Sequence, residues 1–291
     1  MTETISIIIP TRCDVKRREL LLRAIDSVTS QEAVRCVPIV VANGTGCDPE
    51  LLAELRARSD IKTVRIEPPG PFLARKVGYQ HSETEFFGLL DDDDLLLPGA
   101  IARRLRAFCE DPSIDWVVTN GIFEGPSGVI PYVPDMAAVS RDPFGSLLEF
   151  CWLSAGSCLF RTASFNPDTF DAVRSMDLTY IAFRLLAEGR KAAFIDEPTF
   201  KYFYYPDSLS KQDHYNLPAA EAIREMAKLA LPARVKRKLG RKYRRAMHDV
   251  ADYYHRKGQR GAAWSAHLKS LGGFPELLQY ASFTRKLLFR A

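Results

Sequence analysis

Apolar residues along the first hundred positions come in short blocks whose spacing switches between a strand period and a helix period. Residues 5–9 are a β-branched apolar run that ends at Pro10 and Thr11 and predicts a strand. Residues 20–28 carry apolar positions at helical spacing. Residues 37–41 form a second strand candidate that ends in Ala42-Asn43-Gly44-Thr45, a turn-forming set. Asp48 followed by Pro49 is a helix start, a capping side chain before a proline, for a helix over 50–58. Residues 62–66 predict a third strand, residues 71–81 a helix carrying Arg75 and Lys76, and residues 86–90 a bulky buried strand. Such alternation points to a parallel sheet wrapped by helices, with the strand ends at Pro10, Ala42 and Asp91 along one edge.

The pattern changes at Trp116. Short strand candidates at 116–119, 129–133 and 157–160 alternate with Pro and Gly turns around a helix near 143–151. Residues 177–188 are helical up to Gly189, and residues 192–195 and 199–205 read as two closing strands. This half predicts an α+β arrangement packed on the first sheet. From Leu217 onward the composition is helical, over 218–229, 232–255 and 262–271. The expected division is a main domain over 1–215, with halves 1–98 and 99–215, and a helical, basic extension over 216–291.

Composition narrows the class. An apolar fraction of 46% and a charged fraction of 26% over 291 residues are those of an ordinary globular protein. No apolar run approaches the roughly 20 residues of a membrane span, and residues 1–9 carry no signal-peptide pattern, so a cytoplasmic location is expected. The six cysteines are scattered without a Cys-x-x-Cys pair, which argues against a zinc site or a disulfide framework. The net charge of +4 is uneven: residues 234–245 hold eight Lys or Arg and no acid, so the remainder is about −4. No Gly-x-Gly-x-x-Gly or Gly-x-x-x-x-Gly-Lys loop follows the first strand, which argues against a dinucleotide or P-loop fold.

The chemistry concentrates at Asp91, Asp92, Asp93 and Asp94, directly after the apolar strand and before Pro98. Four adjacent carboxylates repel one another, and a solvated turn gains nothing from them. A hard divalent cation reverses that balance, because Mg²⁺ or Mn²⁺ is shared between one or two carboxylates and a substrate's phosphates. In open α/β sheets, ligands sit just beyond the carboxyl ends of the strands, where these residues fall.

Several ordered segments resemble one family, the family 2 glycosyltransferases of the GT-A fold. Ser6-Ile7-Ile8-Ile9-Pro10-Thr11 is similar to the family's opening strand, and Val40-Val41-Ala42-Asn43-Gly44-Thr45 to its second strand end. Leu73-Ala74-Arg75-Lys76-Val77-Gly78 resembles the Ala-Arg-Asn-x-Gly helix, with Lys76 in place of Asn. Residues 87–98 resemble the apolar strand, Asp-x-Asp and Pro motif, and Ser154-Ala155-Gly156-Ser157 the acceptor-side strand. Tyr205-Pro206-Asp207-Ser208-Leu209-Ser210 resembles the closing segment, with Tyr205 where the family often has His. The resemblance covers about residues 4–211.

It implies an α/β, Rossmann-like GT-A fold: a mostly parallel sheet flanked by helices, with a C-terminal helical extension. It also implies a metal-dependent, inverting glycosyltransferase with Mn²⁺ or Mg²⁺ as cofactor. Such an enzyme moves a sugar from a nucleotide donor to a glycan or lipid-linked hydroxyl, as in cell-surface polysaccharide synthesis. By position, Asp93 is the metal ligand, Asp92 contacts the ribose or sugar end, and Asp91 supports them. Asp94 is left as either a supporting group or an exposed one. Pro10, Thr11 and Asn43 line the nucleoside pocket, and Arg75 faces the diphosphate. Many members carry an acidic pair where Ala42-Asn43 stands; a UDP-sugar is the expected donor, with dTDP and GDP as alternatives.

Asp177, in Ser175-Met176-Asp177-Leu178-Thr179, is the candidate base that takes the acceptor proton, with Asp171 and Asp168 as fallbacks. The competing reading of Asp177 is a helix cap. Trp152 is weighed as a sugar platform but reads as core, and Arg184 as a structural ion-pair residue. The basic run over 234–245 has two readings, contact with the inner face of an anionic membrane or a solvated helix face. No nucleic-acid recognition motif accompanies it. A nucleotidyl or phosphoryl transferase and a catalytically silent sugar-nucleotide-binding protein remain as alternatives.

Overall fold

A computed structural model describes residues 4–126, 128–205, 217–272 and 274–289. Strand β1 (Thr4–Thr11) pairs in parallel with β2 (Arg35–Asn43) on one side and β4 (Phe86–Leu89) on the other, and β2 pairs in parallel with β3 (Lys62–Ile66). Helices α1 (Arg18–Thr29), α2 (Pro49–Ala57) and α3 (Pro71–Gln80) make the crossovers. The resulting order β3-β2-β1-β4 reverses beside β1, and in such sheets the ligand crevice opens at that reversal.

The apolar runs are continuous because helices cover both faces of these strands. Ile5, Ile7 and Ile9 pack in one core with Leu21, Ala24, Ile25 and Val28 of α1, which recur at helical spacing. Ile39 and Val41 pack with Ala74 and Val77 of α3. A side chain at Gly78 would overlap Ile8, so this glycine lets α3 lie close against β1. That approach brings Arg75 to the strand ends.

The remaining strands extend the same sheet. They are β5 (Leu95–Leu96), β6 (Trp116–Gly125), β7 (Gly128–Pro131), β8 (Cys158–Arg161) and β9 (Ala192–Phe203). They complete the order β3-β2-β1-β4-β8-β6-β9-β5, with β7 beside β6. Helices α4 (Ala100–Glu110), α5 (Met136–Arg141), α6 (Pro143–Glu149) and α7 (Asp177–Ala187) connect them. Three expectations change here. The second half is continuous with the first sheet instead of packing on it. The sheet is also mixed, because β8 runs antiparallel to β4 and β6, and β5 runs antiparallel to β9. The two closing strands expected at 192–195 and 199–205 are one strand, β9. Its register against β6 jumps from Ile195 to Pro198, so exposed Asp196 and Glu197 bulge out and the proline needs no ladder hydrogen bond. Trp152 is fully buried and stacks on Trp116, as a core residue.

The chain divides into two compact units, one over 1–172 with 177–206 and one over 173–176 with 207–291. In the second, α8 (Ala219–Lys228), α9 (Ala233–Arg256), α10 (Arg260–Ser270) and α11 (Phe274–Phe289) share a core of Ala220, Met247, Ala251, Ala263, Ala266, Phe283 and Leu287. Helix α11 was not among the predicted elements. Helix α9 buries Val235, Leu239, Met247 and Ala251 and exposes Arg234, Lys236, Arg237, Lys238, Arg241, Lys242 and Arg245. Among the described residues no helix is long and apolar enough to cross a membrane.

Candidate active site

The carboxyl ends of β1, β2 and β4 meet as expected. Thr11, at the end of β1 and next to buried Pro10, donates its hydroxyl to Asp92 Oδ2 at 2.6 Å. Asn43, at the end of β2, donates to the Thr11 carbonyl at 2.8 Å and accepts from the Gly70 amide at 2.9 Å. Gly70 holds a φ of 141°, a backbone region open to glycine. Asn43 thus straps two strand ends to the entrance of α3. Arg65 adds to this strap, with its guanidinium donating to the Gly44 carbonyl at 2.6 Å.

The four aspartates diverge. Asp91 accepts from Arg75 at 2.6 Å, and the same buried guanidinium is ion-paired to Asp177 at the head of α7. Asp92 and Asp93 both face Arg17, whose terminal nitrogen lies 2.5 Å from Asp92 Oδ1 and 2.9 Å from Asp93 Oδ2. Asp94 turns inward: it is 1% exposed, one oxygen accepts from the Phe203 amide at 3.2 Å, and the other has no hydrogen-bond partner. The exposed alternative for Asp94 is therefore excluded. Burial pushes the Asp94 carboxyl well above the usual range, and Asp91 and Asp93 add to the effect. Asp93 is pushed up to about 6, by burial first and then by Asp91 and Asp92, against the opposing pull of Arg17.

Among the described residues no three His, Cys, Asp or Glu side chains converge as a metal cage. The pair Asp92 and Asp93 nonetheless shares one positive charge already, and its hard oxygen donors suit Mg²⁺ or Mn²⁺ completed by substrate phosphates. The residues fit such an ion.

Sequence reasoning missed two arginines. Asp14 caps a short 3₁₀ turn over Val15–Arg17 and aims Arg17 at the acidic turn. Arg23, two turns further along α1, lies over the Phe203 ring at 4.4 Å. It donates to the Asp93 carbonyl at 3.2 Å and to the Tyr205 hydroxyl at 3.4 Å. Their basic character was legible, but nothing in the spacing showed that the 3₁₀ turn and α1 deliver it to the residues after β4. The fallback Asp171 is exposed and paired with Lys76, Asp168 is exposed, and Arg184 pairs with Glu188 at 2.8 Å. The segment 206–210, compared above with the family's closing segment, lies outside the described residues.

Residues 6–170 match the family model described as glycosyl transferase family 2. The chain belongs to that family. As a family 2 member it is a glycosyltransferase, and the phosphoryl-transfer and silent-binding alternatives are set aside. A crystal structure of S. aureus TarS 1-349 in complex with UDP is similar at a TM-score of 0.56 and 15% identity, covering 99% of this chain and 79% of that one. The same TarS fragment in complex with UDP-GlcNAc gives 0.60 and 14% identity, over 94% and 80%. At this identity the likeness shows the fold, GT-A. No curated protein sequence matches the family 2 chain.

Proposed function

We propose that this glycosyltransferase is a metal-dependent, inverting enzyme that moves a sugar from a UDP-sugar to a hydroxyl of a glycan or lipid-linked acceptor in cell-surface polysaccharide synthesis. The observation that carries the reading is the Arg75 bridge. One buried guanidinium joins Asp91, at the donor turn, to Asp177, at the head of α7, so the two expected halves of the reaction share one fixed group. The two similar solved structures hold UDP and UDP-GlcNAc, which supports a uridine nucleotide.

In this reading Pro10, Thr11 and Asn43 shape the nucleoside pocket, Asp92 orients the ribose or sugar end, and Asp93 with Asp92 holds Mn²⁺ or Mg²⁺. The bound ion would offset the charge that develops on the diphosphate as the glycosidic bond breaks. Asp177 takes the proton of the acceptor hydroxyl while that oxygen attacks the anomeric carbon opposite the departing diphosphate. Arg75 keeps Asp177 and Asp91 in register for that step.

We assign residues 1–215 to catalysis and 216–291 to a helical extension at the cytoplasmic face of the membrane. The exposed basic face of α9 supports contact with anionic headgroups, about 1 kcal/mol for each Lys or Arg near the surface. The test of the donor site is a thermal shift against UDP, GDP, dTDP and CDP, with and without Mn²⁺, on wild type and Asp93→Ala. A ligand at 100 times its Kd adds about 2.7 kcal/mol. Stabilisation by UDP that needs Mn²⁺ and disappears in Asp93→Ala is expected; no shift with any nucleotide sinks the reading.

A further inference from the structure

Arg17 sits where the donor reading puts a cation. Its terminal nitrogen bridges Asp92 Oδ1 at 2.5 Å and Asp93 Oδ2 at 2.9 Å, and its Nε lies 3.3 Å from Asp92 Oδ2. The two carboxylates assigned to the ion are therefore already neutralised in part by the protein's own guanidinium. Arg17 is a quarter exposed and rises from a single 3₁₀ turn at the mouth of the crevice, so its side chain has solvent to move into. A guanidinium and a divalent cation cannot occupy the same pair of carboxylates, because both steric overlap and like-charge repulsion oppose it.

We propose that Arg17 is a built-in counter-cation of the acidic turn, which holds Asp92 and Asp93 together until the divalent ion displaces it. Without such a charge, Asp92 and Asp93 would repel across a partly buried gap. With it, the turn is held in a binding-ready shape, and weakly bound free metal is disfavoured relative to metal arriving with a nucleotide diphosphate. The proposal rests on the metal-assisted donor reading above. It concerns Arg17 as a positioning residue and involves no covalent step.

The test is Mn²⁺ titration of the full chain followed by the electron paramagnetic resonance signal of the free ion, without nucleotide, on wild type, Arg17→Ala and Arg17→Lys. Loss of the competing charge is expected to tighten Mn²⁺ binding by Arg17→Ala about threefold to fivefold, the scale of a partly exposed ion pair expressed as affinity. Arg17→Lys, which keeps a charge but not the fork, is expected to fall between the two. Unchanged or weaker Mn²⁺ binding by a folded Arg17→Ala protein overturns the proposal, as does the absence of Mn²⁺ binding by every protein. A parallel thermal shift with UDP separates the two readings. If UDP and Mn²⁺ together stabilise both proteins and Mn²⁺ affinity is unaltered, the Arg17 role fails and the donor reading stands. If UDP stabilises neither protein, the donor reading fails.

Discussion

Arg17 and Arg75 reach the same acidic turn from different helical segments, and each bridges two carboxylates. Arg75 has a side chain 5% exposed and joins Asp91 to Asp177 across 86 residues of chain; Arg17 is 25% exposed and joins the neighbours Asp92 and Asp93. The chemistry of each pair is the same, and burial separates their roles. Removing one partner of a buried pair leaves a desolvated charge, whereas a partly exposed pair exchanges its partner for water or for another ion at little cost. Burial thus suits Arg75 to a fixed strut between the acidic turn and α7, and Arg17 to the replaceable occupant proposed above.

The sharpest test of the strut's catalytic meaning is Asp177→Asn. It keeps a hydrogen-bonding group beside Arg75 but cannot accept the acceptor proton. A drop in kcat of about 10²- to 10⁴-fold with nucleotide binding unaltered is expected from steady-state kinetics. Asp93→Ala, on the other bridge, is expected to lower kcat/KM by about 10²- to 10³-fold and to remove the Mn²⁺ dependence of nucleotide stabilisation. Either variant behaving like wild type would dissolve the assignment at its own bridge.

The stability contrast comes next. Arg75→Ala is expected to lose about 3–5 kcal/mol in denaturant unfolding, because Asp91 and Asp177 lose their buried partner. Arg17→Ala is expected to change stability by no more than about 1 kcal/mol. Equal losses would erase the distinction drawn from burial.

A further contrast concerns pH. Asp93 titrates near 6 in the folded chain, raised by burial and by Asp91 and Asp92 above its ordinary 3.8. Between those values the folded state binds the proton that the unfolded chain has released, so this group makes stability fall as pH rises through that window. The cost is complete above about pH 6 and absent below about pH 4. Asp93→Asn without metal is therefore expected to be about 3 kcal/mol more stable than wild type at pH 8, with the gap closing by pH 4. A constant gap across that range would contradict the shift.

Much of the first half was legible because its code is local. The ranges of β3 and α3 came out within one residue, and the Asp48 cap was found, with its carboxylate accepting from the Leu51 amide at 2.8 Å. Strand β5 was not found: two residues carry no periodic signal, and Leu95 and Leu96 are strand only because they pair with Lys201 and Phe200. Pro198 looked like a break between strands because the bulge that accommodates it depends on β6 alongside. Arg17 escaped for the same reason. Its partners are 75 and 76 residues away, and only the closure of β1 against β4 brings them together.

By itself the sequence determined the alternating strands and helices of the first half, the placement of the acidic turn after an apolar strand, and the family motifs. These depend on side-chain period, capping and composition within windows of about ten residues. Only the tertiary structure decided that the second half continues the same sheet, that Asp94 points inward, and which arginine faces which carboxylate. Those outcomes depend on strand pairing and burial between distant segments, and neither is written in the spacing along the chain.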